Sequence, residues 1–219
     1  MIHRSFKRVL TLAGAASAGV AFAATAFAGP NAGGVLLLHA APEIEYTTSR
    51  VSYCDSLDLP DWERIRVRSE PDPDRAQLFY VLAVFDTSRS PRLQTVTFGL
   101  GDYGGEGTIL FENWGSCLHA TEITTEGWPR PNGGTALSFV GHLFTEAVTP
   151  LYWFSAYVYV AGELPLGPHP SEKIGGSFID DSPVQDPIEA YGVLGFGVEG
   201  TKPPPRPLVP LRKGMTREK

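Results

Sequence analysis

Short apolar stretches, separated by Gly, Pro, Asn and Asp, recur along the chain from about residue 34 to residue 198. They are rich in Val, Ile, Thr, Tyr and Phe, and this composition with frequent turn residues is typical of many short β-strands. The stretch Leu93–Leu100 alternates between the two faces of a strand, with Val96 and Phe98 on one face and Thr95 and Thr97 on the other. The pattern predicts ten strands: Gly34–Ala40, Glu43–Thr48, Trp62–Arg68, Ala76–Asp86, Leu93–Leu100, Thr108–Glu112, Thr135–Val140, Leu151–Ala161, Gly176–Ile179 and Tyr191–Val198.

One of these strands, Leu151–Ala161, is apolar or aromatic on both faces. It is therefore predicted to be a central strand that is covered on both sides. No stretch keeps a 3.6-residue apolar period, so helices are expected only as short turns near Gly141–Ala147 and Pro187–Ala190. Eight to ten strands with loop-rich connections predict an all-β, single-domain β-sandwich of jelly-roll or immunoglobulin-like type, with a β-barrel as the alternative.

Residues 1–28 have the pattern of a signal peptide. Arg4, Lys7 and Arg8 precede an Ala/Gly-rich apolar stretch, and Ala26-Phe27-Ala28 forms an A-x-A cleavage site. The apolar stretch is too short to span a bilayer, and no later one is long enough, so no transmembrane segment is expected. The protein is predicted to be exported, to the periplasm, the cell surface or the medium.

The charge distribution separates a body from a C-terminal tail. The whole chain has a net charge of -6. Residues 29–199, the predicted sandwich domain, hold 23 acidic and 9 basic residues, a net charge of -14. Residues 200–219 are Pro-rich, with six basic residues and one acid. Nucleic acid binding, which needs a basic footprint, is disfavoured.

The tail itself is predicted to be extended and not to join the sheet, because proline lacks the backbone N–H donor that pairing requires. Its basic residues suggest anchorage to an anionic envelope surface or docking on the acidic body. A solvated tail without a dedicated function is the third alternative.

Cys54 and Cys117 are the only cysteines. An even number of cysteines in an exported chain predicts a disulfide, and it closes a loop of about 60 residues, which would stabilise the fold by roughly 4 kcal/mol. The C-x-x-C spacing of a redox pair is absent, and two thiols do not make a zinc site.

The candidate binding residues are aromatic and basic. Trp114 and Trp128 lie among Gly, Pro, Asn and Ser, which predicts two loop tryptophans suited to stacking on a sugar or contacting a protein. Arg64, Arg66 and Arg68 would share one face of a strand and could recognise carboxylates or phosphates, or could form a charged edge that prevents aggregation.

The acidic residues suggest two further kinds of site. Asp180, Asp181 and Asp186 follow a predicted strand and are the best candidates for calcium, although they do not match a known calcium-loop motif. No other cofactor is expected. Because no catalytic motif is present, a polysaccharide hydrolase using carboxylates such as Asp102, Glu106 or Asp180 is kept only as an alternative.

Three segments, FGLGDYGGEGTILFENW (98–114), LYWFSAYVYVAG (151–162) and GGSFIDDSPVQDPIEAYGVLGFG (175–197), resemble an uncharacterised domain of hypothetical exported proteins from uncultured bacteria. The resemblance spans about residues 76–197, and the group has no established activity, so it implies no functional residue. The sequence as a whole therefore favours an exported, non-enzymatic binding or envelope-associated structural module, with a glycan or an envelope protein as its partner.

Overall fold

The computed structural model describes residues 28–207, which form two β-sheets packed face to face. Nearly all of the predicted signal peptide, and residues 208–219 of the predicted tail, lie outside the described residues. The strands are β1 (Val35–Ala40), β2 (Arg68–Ser69), β3 (Asp72–Val84), β4 (Thr95–Leu100), β5 (Ile109–Ser116), β6 (Thr121–Thr124), β7 (Gly134–Ser138), β8 (Val148–Val158), β9 (Gly162–Gly167), β10 (Ser177–Ile179), β11 (Gln185–Pro187) and β12 (Val193–Phe196).

The smaller sheet is antiparallel with the order β1-β3-β8-β5. The larger sheet has the order β11-β10-β4-β9-β12-β2, and β7 and β6 extend it from the opposite edge of β4. Neither sheet closes on itself within residues 28–207, so the predicted β-sandwich is confirmed and the barrel alternative is not.

The main core lies between the sheets. Val96, Phe98 and Leu100 point into it from β4, as the alternation in this strand predicts. From β8, Phe154 and Ala156 pack against them. The prediction that β8 is central is confirmed, because β3 and β5 flank it and both of its faces are buried.

A second apolar cluster covers the outer face of the smaller sheet. Residues 41–67, the outer cover, pack Tyr53 and Ile65 onto Tyr80 and Trp153. Two strands predicted in this segment, Glu43–Thr48 and Trp62–Arg68, are wrong except at Arg68. Their apolar residues are buried by packing flat on a sheet face, which satisfies the hydrophobic pattern without a strand partner.

Three short strands escaped prediction: β6, β9 and β11. β6 is a polar edge strand, and β9 and β11 each contain a proline, which lowers the strand signal. The two predicted helical turns are not helices; 3₁₀ turns occur instead at Cys54–Ser56, Gly105–Gly107 and Cys117–His119.

The predicted disulfide is confirmed. Cys54 and Cys117 are bonded, with their Cα atoms 5.6 Å apart. The bond joins the outer cover to the end of β5, because each cysteine begins a 3₁₀ turn at those places. In residues 28–207 no helix is long and apolar enough to cross a membrane.

The first residues of the Pro-rich tail pack on the body as a strap, residues 201–206. Thr201 bridges Val193, contrary to the expectation that the tail makes no sheet contact. Lys202 Nζ donates to the carbonyl oxygen of Trp62 at 2.8 Å and lies 4.8 Å from the centre of its ring. Arg206 N–H donates to Gly33 O at 2.8 Å.

Candidate functional site

The site that the structure favours is an open cavity at one side of the sandwich, which we call the lateral mouth. It has a volume of about 240 Å³ and lies between β5 and the loop of residues 127–131. Tyr103, Phe111, Trp114 and Trp128 line it. Because β5 is the edge strand of the smaller sheet, the space between the sheets opens to solvent here.

A β-bulge places Trp114 in the mouth. Phe111 pairs with Ala156 and Trp114 pairs with Phe154, and the register shifts between Phe111 and Asn113. Residues directly opposite each other in a sheet point to the same face, so Phe111 and Trp114 both point inward with Phe154. In a regular strand, residues three apart would point to opposite faces. Trp114 therefore forms a wall of the mouth, with 37% of its surface exposed.

Trp128 forms the buried floor of the mouth and is held by hydrogen bonds. Its Nε1–H donates to the hydroxyl of Tyr152 at 3.0 Å, and that hydroxyl donates to Glu122 Oε1 at 2.9 Å. Thr135 Oγ1 donates to the same carboxylate oxygen at 2.8 Å. Burial, followed by the charge of Glu122, raises the pKa of Tyr152, so its hydroxyl keeps its proton. The indole is thus fixed in one orientation before any ligand binds.

Tyr103 closes the mouth from the side of the larger sheet. Its hydroxyl donates to Pro129 O at 2.9 Å, and its ring packs edge-on against Phe111 with 5.5 Å between the centroids. Burial, and then the charge of Glu106, raises the pKa of Tyr103. Gly104 and Gly105 follow with φ of 82° and 76°, a left-handed turn that glycine permits and that presents Glu106 at the opening.

The segments around the mouth are acidic. Glu106 lies at the opening, Glu112 is the exposed bulge residue, Glu122 is bonded to Tyr152, and Glu126 is exposed beside the loop of residues 127–131. Arg130 is the one basic residue lining the mouth. None of the ion pairs found within residues 28–207 includes any of these five side chains.

The two predicted tryptophans thus meet in one cavity, although Trp114 lies in a strand and not in the predicted loop. Sequence inspection missed Tyr103, Phe111 and Arg130. The sequence does contain a pattern that identifies them. Each lies within four residues of a Gly or Pro, in the same two segments as the tryptophans. Aromatic residues beside turn residues in two separate segments are the pattern to look for.

The arginine row does not form a shared face, because residues 62–67 are not a strand. Arg64 pairs with Asp58 and Asp61. Arg66 Nη1 lies 2.6 Å from Glu43 Oε2, and Arg68 pairs with Glu70 and Glu199. Arg66 and Arg68 do line one shallow depression, but their guanidinium groups already have carboxylate partners.

The three aspartates of the predicted calcium loop do not converge. Asp180 Oδ1 accepts the N–H groups of Ser182 and Val184, both at 2.8 Å. Asp186 accepts the N–H groups of Gly29 and Asn31, and Asp181 pairs with Arg92. Among residues 28–207 no three His, Cys, Asp or Glu side chains are placed to hold a metal ion. Asp180 thus satisfies backbone donors of its own loop, whereas the partners of Asp181 and Asp186 come from distant segments.

The carboxylates of the hydrolase alternative are also separate. Glu106 is the single carboxylate that lines the mouth. Asp102 Oδ1 accepts Gly104 N–H at 3.0 Å in the preceding turn, and Asp180 belongs to the loop described above. A glycosidase uses two carboxyl groups that flank one cleft, and the lining of the mouth supplies one.

A comparison with protein-family models found no match, and a search of the curated proteins found none either. Solved structures with some likeness include a cohesin module of a family 33 glycoside hydrolase from Clostridium perfringens, with 9% identity, a TM-score of 0.46, and 60% of this chain and 90% of that one covered. A non-cellulosomal cohesin from Archaeoglobus fulgidus has 7% identity and a TM-score of 0.41, covering 60% of this chain and 86% of that one.

The sixth cohesin of scaffoldin B from Acetivibrio cellulolyticus, solved in complex with a Cel5 dockerin, has 7% identity and a TM-score of 0.43, covering 72% of this chain and 93% of that one. A TM-score below 0.5 does not assign this chain to the cohesins or to their function.

Proposed function

We propose that this protein is an exported, non-enzymatic binding module that recognises its partner through the lateral mouth. The observation that carries the proposal is Trp114, a tryptophan on the inward face of a strand with 37% of its surface still exposed. An inward-facing tryptophan in a sandwich is normally covered by the opposite sheet. Here its ring faces an open cavity that a ligand can fill.

The lining of the mouth suits recognition. Binding sites are mostly apolar with a few polar groups that set orientation, and the mouth combines four aromatic rings with Glu106 and Arg130. Tyrosine and tryptophan give large contact areas with few rotatable bonds, so binding on them costs little entropy. Trp128 and Tyr103 are already held by hydrogen bonds.

Export is supported by two features. The predicted signal peptide directs the chain out of the cytosol, and the Cys54–Cys117 disulfide fits an oxidising compartment. The disulfide joins the end of β5, the strand that carries Trp114, to the outer cover.

The test is a binding screen of the mature protein, residues 29–219, against a glycan array and an array of extended peptides. We expect Trp114→Ala to weaken every specific interaction about tenfold or more, which is the size of effect found when a central aromatic anchor is truncated. Tyr46→Ala is the matched control, because it truncates a partly buried aromatic in the outer cover, away from the mouth.

Specific ligands that bind wild type and the Tyr46 variant equally, and that fail to bind the Trp114 variant, would support the proposal. Ligands that bind the Trp114 variant as tightly as wild type would place the site elsewhere and overturn it.

A further inference from the structure

A short motif in the tail has the chemistry that the lateral mouth would bind. Residues 207–212 have the sequence Pro-Leu-Val-Pro-Leu-Arg, a P-x-x-P pattern followed by a basic residue. Prolines favour the polyproline II helix, which has three residues per turn, so Pro207 and Pro210 would lie on one edge about 9 Å apart. A segment that favours the polyproline II conformation loses little entropy on docking.

The mouth is complementary to this motif in shape and charge. Proline-rich segments dock in grooves lined by aromatic rings, and Trp114, Tyr103 and Trp128 line the mouth together with Pro129 and Pro131. The basic residue of the motif would meet the acidic opening at Glu106. Residues 207–219 hold four basic residues and one acid, and residues 29–199 have a net charge of -14.

The strap holds Pro207, the first residue of the motif, at the edge of the sheet opposite the mouth of its own chain, so the motif with both of its prolines does not fit into that mouth. Arg206 N–H donates to the carbonyl oxygen of Gly33, two residues before the start of β1, and its side chain pairs with Glu189. The mouth is at β5, the opposite edge of the same sheet. The edges are three strand spacings apart, about 14 Å. Pro207, the first residue of the motif, directly follows Arg206 and is exposed, so the motif begins at the edge opposite the mouth.

We infer that the lateral mouth binds residues 207–212 of a second copy of this chain, so that copies associate head to tail. This inference rests on the proposed function, because it names the partner of that same site. Each copy has one mouth, and its motif begins at the opposite edge of the sheet. Such an interface is heterologous and generates open chains or rings instead of a closed twofold dimer.

The first test is sedimentation of the mature protein, residues 29–219, over increasing concentration at low salt. We expect the average mass to rise above that of the monomer, while a chain that ends at Pro207 stays monomeric. Arg212→Glu should weaken association about tenfold or more. Arg217→Glu, which makes the same charge change outside the motif, is the matched control and should weaken it much less.

Mixing two disabled variants tests the head-to-tail geometry directly. Trp114→Ala keeps the motif and loses the mouth, and the chain ending at Pro207 keeps the mouth and loses the motif. Each alone should be monomeric, and the mixture should form two-chain complexes only, because neither end of the pair can bind a further copy. A mixture that stays monomeric, or a control that weakens association as much as Arg212→Glu, would overturn the inference.

A peptide of residues 203–214, titrated into the chain that ends at Pro207 and followed by tryptophan fluorescence, separates the two proposals. Saturable binding that weakens tenfold when Pro207 and Pro210 are replaced by Ala supports both. If this peptide does not bind while an array ligand binds and depends on Trp114, the inference fails and the proposed function stands. If no ligand of any kind depends on Trp114, both fail.

Discussion

His39 on β1 shows how one buried side chain links the fold to pH. It is 3% exposed, and its Nδ1 accepts the backbone N–H of Arg66 at 2.9 Å, so the ring must be neutral at that nitrogen. Burial lowers the pKa of His39 from 6.5 to about 4, and the positive charges of Arg66 and Lys202 act in the same direction against the opposing effect of Glu43.

The stability of the protein should therefore fall as the pH drops from about 6.5 to about 4. In this pH range His39 is protonated in the unfolded chain but stays neutral in the folded chain, because its pKa is lower there. A falling pH therefore favours unfolding. A shift of this size corresponds to about 3 kcal/mol. His39→Asn keeps an acceptor for Arg66 N–H and does not titrate. Urea unfolding at pH 7 and pH 4 should show a smaller loss of stability for this variant than for wild type, and equal losses would contradict the assignment.

The residues of the mouth could be predicted only in part. Trp114 and Trp128 can be identified because a tryptophan beside turn residues is conspicuous. That both line one cavity depends on the bulge in β5, which no sequence pattern predicts. The predicted strand face of Arg64, Arg66 and Arg68 is wrong because period-2 alternation also occurs outside strands, and residues 62–67 form a turn and irregular backbone within the outer cover. Two of their carboxylate partners, Glu43 and Glu199, come from distant segments, and residue spacing cannot predict such pairs.

At the scale of elements, the bulge in β5 has a testable consequence. Glu112 is the extra residue between Phe111 and Asn113, whose partners Ala156 and Ser155 are consecutive. Removing Glu112 should give a regular strand that keeps Trp114 on its inward face. We expect the deletion to change the melting temperature little and to preserve ligand binding at the mouth.

Deleting Leu110 from the same strand is the control. It would move Ile109, which is fully buried, to the outward face and cost about 2 kcal/mol or more. Comparing the two deletions by thermal unfolding distinguishes a bulge from a regular register. A Glu112 deletion as damaging as the Leu110 deletion would mean that β5 is not paired as described.

The disulfide fastens the outer cover, an element with no strands of its own before Arg68. Its loop of 63 residues predicts a loss of about 4 kcal/mol of unfolding free energy when both cysteines are changed to serine. Urea unfolding should show this loss in the double variant. Wild type with reductant should match the variant, and an unchanged midpoint in both would show that the cover is held by packing alone.

Strands with a clear apolar pattern could be predicted from the sequence, and short strands without one could not. β4 and β8 follow from alternation and from burial on both faces, because long-range packing reinforces a local pattern. The sequence of the outer cover predicts strands because its apolar residues alternate with polar ones. A segment that packs on a sheet face can show this alternation without any backbone pairing. β6, β9 and β11 are short and polar or contain proline, so their existence depends on neighbours far away in the sequence.

At the scale of the whole molecule, residues 28–207 combine an acidic sandwich, a cover fastened by a disulfide, an aromatic mouth at one edge and a basic strap at the other. Trp114 is the most exposed of the four tryptophans, and it lies at the edge where β5 has no further strand beside it. The molecule is in this way organised around one exposed tryptophan.

The four tryptophans make the central claim directly measurable. Each gives one indole N–H signal in a nitrogen-15 NMR spectrum, and two of them, Trp114 and Trp128, line the mouth. The chain ending at Pro207 should be titrated with the peptide of residues 203–214 and with the strongest array ligand. The account predicts that the Trp114 signal moves most, that Trp128 follows, and that Trp62 and Trp153 stay in place. A ligand that shifts Trp62 and leaves Trp114 unmoved would contradict it.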